Sequence, residues 1–108
     1  LEMGEWQLIS LNGKSISNPI VFFSVQDGNV AGTTGCNSFN GTLTEEGFDI
    51  KFNDISATEM DCKEFDTVEE VIFLRALEKV TRYRLEGNVA KFYIGDKESF
   101  VLENIGEF

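Results

Sequence analysis

The two cysteines are the residues of this sequence best suited to chemistry, because the chain contains no histidine. Without imidazole the commonest general base is missing, together with Ser-His and Cys-His nucleophile pairs and any zinc site that requires a nitrogen ligand. A catalytic thiol at Cys36 or Cys62 is disfavoured, since no histidine is available to lower its pKa. We expect no enzymatic activity and no cofactor.

Cys36 and Cys62 leave two structural interpretations open. In an oxidising compartment, a disulfide between them would close a loop of about 26 residues and add roughly 3 to 4 kcal/mol on the chain-entropy estimate. In a reducing compartment, the same residues would be buried thiols that pack as small apolar side chains. The residue types alone do not decide between the two.

Other candidate sites are weaker. Acidic residues crowd one stretch, where calcium would find the oxygen ligands it prefers, but their spacing matches no EF-hand loop and a solvated loop before a helix explains them. These residues are Glu59, Asp61, Glu64 and Asp66. The glycine-rich run 32–41 lacks the lysine and the following helix of a phosphate loop. A glycosidase-type pair has no specific signal among 19 acids. We predict no metal site.

Composition indicates one globular domain over residues 1–108, with 42% hydrophobic residues and a single proline. Nineteen acidic and nine basic residues give a net charge of −10, which repels nucleic acids and anionic membranes. No apolar stretch is long enough to cross a bilayer, and residues 1–11 lack the features of a signal peptide. We expect a monomer that inserts into no membrane by itself.

Alternating apolar residues and glycine-containing turns predict a mainly β fold. The predicted strands cover residues 5–11, 20–25, 30–34, 48–52, 82–85, 89–94 and 99–102. Trp6 and Leu8 should share one face, and Phe48, Ile50 and Phe52 should alternate inward on a half-buried strand. Turns are expected at 12–13, 27–29, 46–47, 87–88 and 95–96, where Asn, Asp and Gly accept left-handed backbone angles. The last six residues resemble a tail.

One helix is predicted over about 67–80. Thr67 and Glu70 have capping-box spacing. A broad apolar stripe follows at helical intervals and suggests a helix lying against a sheet. Its members are Val68, Ile72, Phe73, Ala76, Leu77 and Val80. Seven or eight strands with one late helix predict an antiparallel barrel or a strongly curved sheet.

The run 32–41 is also unusual in backbone terms, because three glycines and two asparagines within ten residues predict a tightly bent corner. Together with positions before and after it, the run resembles the motif of the META domain, or HslJ-like, family. The motif positions are Trp6, Gly13, Gly32, Gly35, Cys36, Asn37, Phe39, Gly41, Thr58, Met60 and Cys62. The order and spacing match from about residue 4 to residue 102.

The resemblance implies a lipocalin-like barrel with a helix, found in bacterial envelope proteins that are often lipoproteins and are associated with heat shock and stress resistance. It brings no catalytic residues, so the motif is interpreted as structural. We expect a non-enzymatic stress protein of the cell envelope, with its signal or anchor segment outside this chain. It would act as a structural or interaction module, with an envelope protein as partner or none. The alternative is a carrier of small apolar ligands, against which the ten phenylalanines argue because they would fill the lumen.

Overall fold

The structure is a computed structural model that describes residues 1, 4–16, 21–35, 37–59 and 67–106, with residues 67–69 described as backbone only. Within these described residues, nine strands and one helix follow one another. They are β1 (Gly4–Leu11), β2 (Lys14–Ser15), β3 (Phe22–Gln26), β4 (Asn29–Thr33), β5 (Ser38–Glu46), β6 (Asp49–Ala57), α1 (Thr67–Lys79), β7 (Arg82–Glu86), β8 (Val89–Ile94) and β9 (Lys97–Gly106).

All strands form one antiparallel sheet that curves back on itself. The order is β2-β1-β3-β4-β5-β6-β7-β8-β9, and β1 also pairs with β9, which gives the sheet a ring-like form. Each tight turn has the backbone that its sequence predicts; at the β1–β2 turn Asn12 has φ 51° and Gly13 has φ 82°. The predicted mainly β fold with a strongly curved sheet and one helix is confirmed.

Within the ring of strands, β6 and β7 have the fewest paired residues. These strands pair at one position, Asp49 with Arg82. Two backbone bonds flank that pair, from the Ile50 N–H to the Thr81 carbonyl at 3.0 Å and from the Tyr83 N–H to the Phe48 carbonyl at 2.9 Å. Beyond this seam β6 packs against α1 instead of β7.

Phenylalanine rings fill the space enclosed by the sheet. Six of them contact one another in a closed circuit, with centroid distances between 4.7 and 6.1 Å, and each is at most 2% exposed. In circuit order they are Phe23, Phe39, Phe73, Phe100, Phe92 and Phe52. Edge-on and stacked ring pairs of this kind add stability beyond the area that they bury. The helix contributes Phe73, so α1 is anchored in the core by one ring.

The helix buries a narrower face than the sequence predicts. Phe73, Ala76, Leu77 and Val80 are buried, whereas Ile72 is 39% exposed. The prediction that Ile72 faces the core is therefore wrong, because the residues in contact with the sheet follow from 73 at intervals of three and four. The side chain of Val68 lies outside the described part of the structure.

Three further predictions need correction. The last six residues are not all tail: β9 continues to Gly106, and Asn104 pairs with Trp6. Phe48 lies in the β5–β6 turn and is 59% exposed, while Ile50 and Phe52 are buried as expected. The bent corner is confined to the stretch between the end of β4 at Thr33 and the start of β5 at Ser38, because Gly32 belongs to β4 and Phe39 to β5. Each local pattern was ambiguous until the strand pairing was known.

Candidate functional site

The central part of the family motif lies in a compact polar corner between β4 and β5. The Thr34 N–H donates to the Asn37 carbonyl at 2.9 Å, and the Gly35 N–H donates to Oγ1 of Thr33 at 3.0 Å. Gly35 has φ 98°, a backbone angle that glycine adopts without strain. The corner turns the chain within four residues and directs the side chains of Thr34 and Asn37 inward, where both are buried.

The carboxyl group of Glu70 connects this corner to the helix. Its Oε1 accepts hydrogen bonds from Oγ1 of Thr34 and from Nδ2 of Asn37, both at 2.7 Å. Glu70 is 8% exposed, so the carboxyl group is removed from solvent and depends on these donors. A carboxylate with two short hydrogen bonds is a strong tether, since charge-assisted bonds are roughly twice as strong as neutral ones.

Thr58 extends the network to the end of β6. Its Oγ1 donates to Oδ1 of Asn37 at 2.8 Å and accepts from the Ser38 N–H at 3.1 Å. The side-chain amide of Asn37 thus bridges two partners: its Nδ2 donates to Glu70, and its Oδ1 accepts from Thr58. Three segments that are distant in sequence meet at one side chain, and we name the four residues Thr34, Asn37, Thr58 and Glu70 the Glu70 latch.

Two motif glycines allow close approach between strands. A Cβ on Gly32 would lie 2.6 Å from Cα of Phe23 and closer still to the Phe22 carbonyl oxygen. A Cβ on Gly41 would lie 2.8 Å from the Asn53 carbonyl oxygen, a backbone atom. Neither position has room for a side chain, so both glycines are required by packing.

The remaining motif positions are distributed over the fold. Trp6 is 1% exposed and pairs with Phe23, Phe39 lies in the aromatic circuit, and Gly13 lies in the β1–β2 turn away from the latch. Cys36, Met60 and Cys62 lie outside the described residues. The predicted pairing of Cys36 with Cys62 in a disulfide therefore also lies outside them. Of the predicted acidic stretch only Glu59 is described, and it is exposed; Asp61, Glu64 and Asp66 also lie outside.

Sequence reasoning missed the role of Glu70, which it assigned to a capping box. A signal was present: Phe73, Leu74 and Leu77 follow Glu70 at three, four and seven residues, so Glu70 shares the face of the helix that meets the sheet. An acidic residue on an apolar face predicts a buried partner. Thr34 was likewise noted only as part of the bent run.

A second feature is a surface groove at the seam between β6 and β7. It has a volume of about 450 Å³ and is lined by Phe48, Asp49, Arg82, Tyr83, Arg84 and Leu85. The exposed ring of Phe48 meets Tyr83 edge-on at 5.5 Å. We name this feature the seam groove.

Tyr83 lines the seam groove, and its hydroxyl group has an unusually high pKa. Its hydroxyl donates to Oε2 of Glu45 at 3.3 Å. Burial, reinforced by the Glu45 carboxylate, raises the pKa of Tyr83 to about 12. The phenol therefore stays neutral at physiological pH and acts as a hydrogen-bond donor.

Within residues 1, 4–16, 21–35, 37–59 and 67–106, no group of three or more acidic, cysteine or histidine side chains is arranged to hold a metal ion. No helix in that same part of the chain combines the length and apolarity needed to span a bilayer.

The fold and the latch define a class: a small, ring-like antiparallel sheet with one helix tethered to a polar corner. The model of the META domain family matches residues 1–103. This chain belongs to the META domain family, whose members are also called HslJ-like. No curated protein matches the chain.

Solved structures share the fold at low identity. A protein determined by NMR is 18% identical, with a TM-score of 0.77 over 98% of this chain and 92% of its own. An NMR structure of a protein from Burkholderia xenovorans is 16% identical, with a TM-score of 0.77 over 96% of this chain and 83% of its own. A crystal structure of a DUF4847 family protein from Bacteroides vulgatus is 16% identical, with a TM-score of 0.73 over 98% and 95%. At these identities the likeness concerns the fold alone.

Proposed function

We propose that this protein is a non-enzymatic structural or protein-interaction module of the bacterial cell envelope that contributes to resistance against stress such as heat. Membership of the META domain family supports the setting. The observation that carries the proposal is the closed circuit of six buried phenylalanines, which occupies the space that a carrier of this shape would leave for a ligand. Function is then exerted by the outer surface.

The proposal also covers the partner, the oligomeric state and the location of the protein. The net charge of −10 disfavours nucleic acid as a partner and favours a soluble surface. The domain works as a monomer, inserts into no membrane itself, needs no cofactor and resides in the periplasm or at an anchored position in the envelope. Its partner, where it has one, is another envelope protein.

A native mass spectrum tests this proposal against the carrier alternative. The protein is isolated gently from its own cell envelope and compared with the same protein after denaturation and refolding, which removes any cargo. We expect a bare monomer or a complex with a second protein. A reproducible added mass of small-molecule size, present only before refolding, would overturn the proposal in favour of a carrier.

The stress role has its own test. A strain that lacks the gene is exposed to heat, and survival is compared with the parent and with the strain that carries the gene again. We expect lower survival that the restored gene corrects. Equal survival of the deleted strain and its parent would overturn the stress role.

A further inference from the structure

The sequence contains two Asn-Gly pairs, and the fold places them in opposite surroundings. Asn12 and Gly13 form the exposed turn between β1 and β2. Asn40 and Gly41 lie inside β5, which pairs with β4 on one side and with β6 on the other. Such a pair is reactive because glycine has no side chain to shield its backbone nitrogen from the carboxamide of the preceding asparagine. The two pairs share this local chemistry and differ in tertiary structure.

The backbone nitrogen of Gly13 lies in open space. A Cβ built on Gly13 would meet no atom within 4 Å. Within the part of the chain that the structure describes, the Gly13 N–H has no hydrogen-bond acceptor and the side chain of Asn12 forms no hydrogen bond. The nitrogen and the neighbouring carboxamide are therefore both accessible to solvent and to each other.

The strand that follows this turn is short and peripheral. Strand β2 lies at one end of the sheet order and pairs with β1 at two positions, Ser10 with Ser15 and Leu11 with Lys14. Peripheral elements with few contacts open locally at a small fraction of the free energy of global unfolding. Ring closure between the Asn12 side chain and the Gly13 nitrogen needs rotation of the intervening backbone, and local opening of the turn permits that rotation.

The corresponding nitrogen of Gly41 is held in the sheet. The Leu43 N–H donates to the Gly28 carbonyl at 2.9 Å, and amides two residues apart on a strand face the same neighbour. The Gly41 N–H therefore faces β4, where Gly41 is paired with Val30. On its other side the Asn53 carbonyl oxygen would lie 2.8 Å from a Cβ on Gly41. Ring closure at this position requires separation of central strands.

We propose that Asn12 is a modification site of this protein, at which the carboxamide is converted to a carboxylate by spontaneous deamidation with water as the co-reactant. Hydroxide removes the proton of the Gly13 amide, and its nitrogen attacks Cγ of Asn12. The N–Cγ bond forms, the Cγ–Nδ2 bond breaks, and ammonia leaves with a proton from water. A second water opens the succinimide ring, which gives aspartate by cleavage at Cγ or isoaspartate by cleavage at the backbone carbonyl carbon. This inference goes beyond the proposed function and does not depend on it.

The modification changes the turn in two ways. Both products carry a negative charge where the parent has a neutral amide. Isoaspartate also lengthens the main chain by a methylene group, and a two-residue turn with fixed backbone angles does not keep Leu11 opposite Lys14 with that extra length. We expect the isoaspartate form to lose the pairing of β2, while β1 keeps its pairs with β3 and β9.

Peptide mapping of the full chain tests the inference. The folded protein is incubated in mildly alkaline buffer, and tandem mass spectrometry follows conversion of amide to acid at Asn12 and at Asn40 over time. We expect conversion at Asn12 to be roughly tenfold or more faster, because a peripheral turn opens far more often than a central strand. The same chain in concentrated urea is the matched control, in which both sites should react at similar rates.

Variants and the isolated product complete the test. Asn12→Ser should abolish the modification of the turn, and Asn40→Ser should leave the rate at Asn12 unchanged. In the purified isoaspartate form, the Ile16 amide, which donates to the Ile9 carbonyl at 3.0 Å in the parent, should exchange its hydrogen faster. Equal rates at the two sites of the folded protein, a faster rate at Asn40, or no conversion of Asn12 would overturn the inference, and unchanged exchange at Ile16 would overturn the loss of β2 pairing. The native mass spectrum tests the proposed function separately from all of these outcomes.

Discussion

The carboxyl group of Glu70 accepts a 2.7 Å hydrogen bond from the side-chain amide of Asn37, which lies 33 residues earlier in the chain. The first turn of α1 is thereby tied to the corner between β4 and β5. This tether fixes the helix against which β6 packs beyond its single pair with β7. Two motif positions of the family, Asn37 and Thr58, thus serve the joint between helix and sheet.

Removal of the carboxyl group should destabilise the protein. Glu70→Ala removes the acceptor of two buried hydrogen bonds of 2.7 Å, from Asn37 Nδ2 and Thr34 Oγ1, and we expect the free energy of unfolding to fall by about 2 to 4 kcal/mol. Glu78→Ala is the matched control, because Glu78 is exposed on the same helix, and it should change stability by less than about 0.5 kcal/mol. Urea denaturation measures both; equal losses would contradict the latch.

A second acid in the latch should create a pH-dependent defect. Asn37→Asp places two carboxyl groups in contact, which raises the pKa of one of them in the folded protein. The folded state then binds a proton more tightly than the unfolded chain, so the variant recovers stability as pH falls. We expect a loss of about 2 kcal/mol at neutral pH that shrinks toward about pH 4.

The control for that experiment is Asn88→Asp, in an exposed turn. Its difference from the parent protein should stay small at every pH. If the Asn37→Asp defect were the same at neutral and acidic pH, repulsion between the two carboxyl groups would not be its cause.

Two phenylalanines should differ sharply in their contribution to stability. Phe73 is fully buried in the aromatic circuit, and Phe73→Ala should cost about 3 to 5 kcal/mol. Phe48 is 59% exposed, and Phe48→Ala should cost at most about 1 kcal/mol, most of it from the ring contact with Tyr83. Thermal unfolding of the two variants provides the comparison, and similar midpoints would show that the circuit is not the core.

Tyr83 should make stability decline in strong alkali. Its pKa is raised from 10.0 to about 12 by burial and by Glu45, so the folded protein retains the phenol proton after the unfolded chain has lost it. The contribution of Tyr83 is therefore complete below about pH 10 and is lost as pH rises toward about 12. Ultraviolet titration should show a tyrosine that ionises near pH 12.

Tyr83→Phe is the reference for that titration. The late-ionising component should vanish, and the alkaline slope of stability should become shallower. Retention of the late component in this variant would assign it to Tyr93.

The cysteine pair has a redox test that separates its two interpretations. If Cys36 and Cys62 are bonded, Cys36→Ser should lower the melting temperature relative to the parent only without reductant, by an amount that reflects about 3 kcal/mol. Equal loss with and without reductant would indicate thiols that contribute by packing.

The sequence by itself determined the elements whose signals are local. Alternation marked β8 at its observed bounds, Asn12 and Gly13 specified a turn with left-handed backbone, and the apolar stripe placed the helix within one residue of its end at Lys79. The spacing of the motif identified the family, because close-packed positions such as Gly32 accept no side chain. Steric and periodic constraints of this kind act over a few residues and can be read directly.

Only the tertiary structure decided features that depend on partners distant in the chain. Asn104 and Gly106 became strand because β1 pairs with them, and Phe48 became exposed because β6 begins one residue later, at its pair with Arg82. Glu70 found its donors on segments that the strand order alone brought to the helix. A carboxyl group or a ring has the same local pattern whether solvent or another strand lies beside it, so its role follows from long-range pairing.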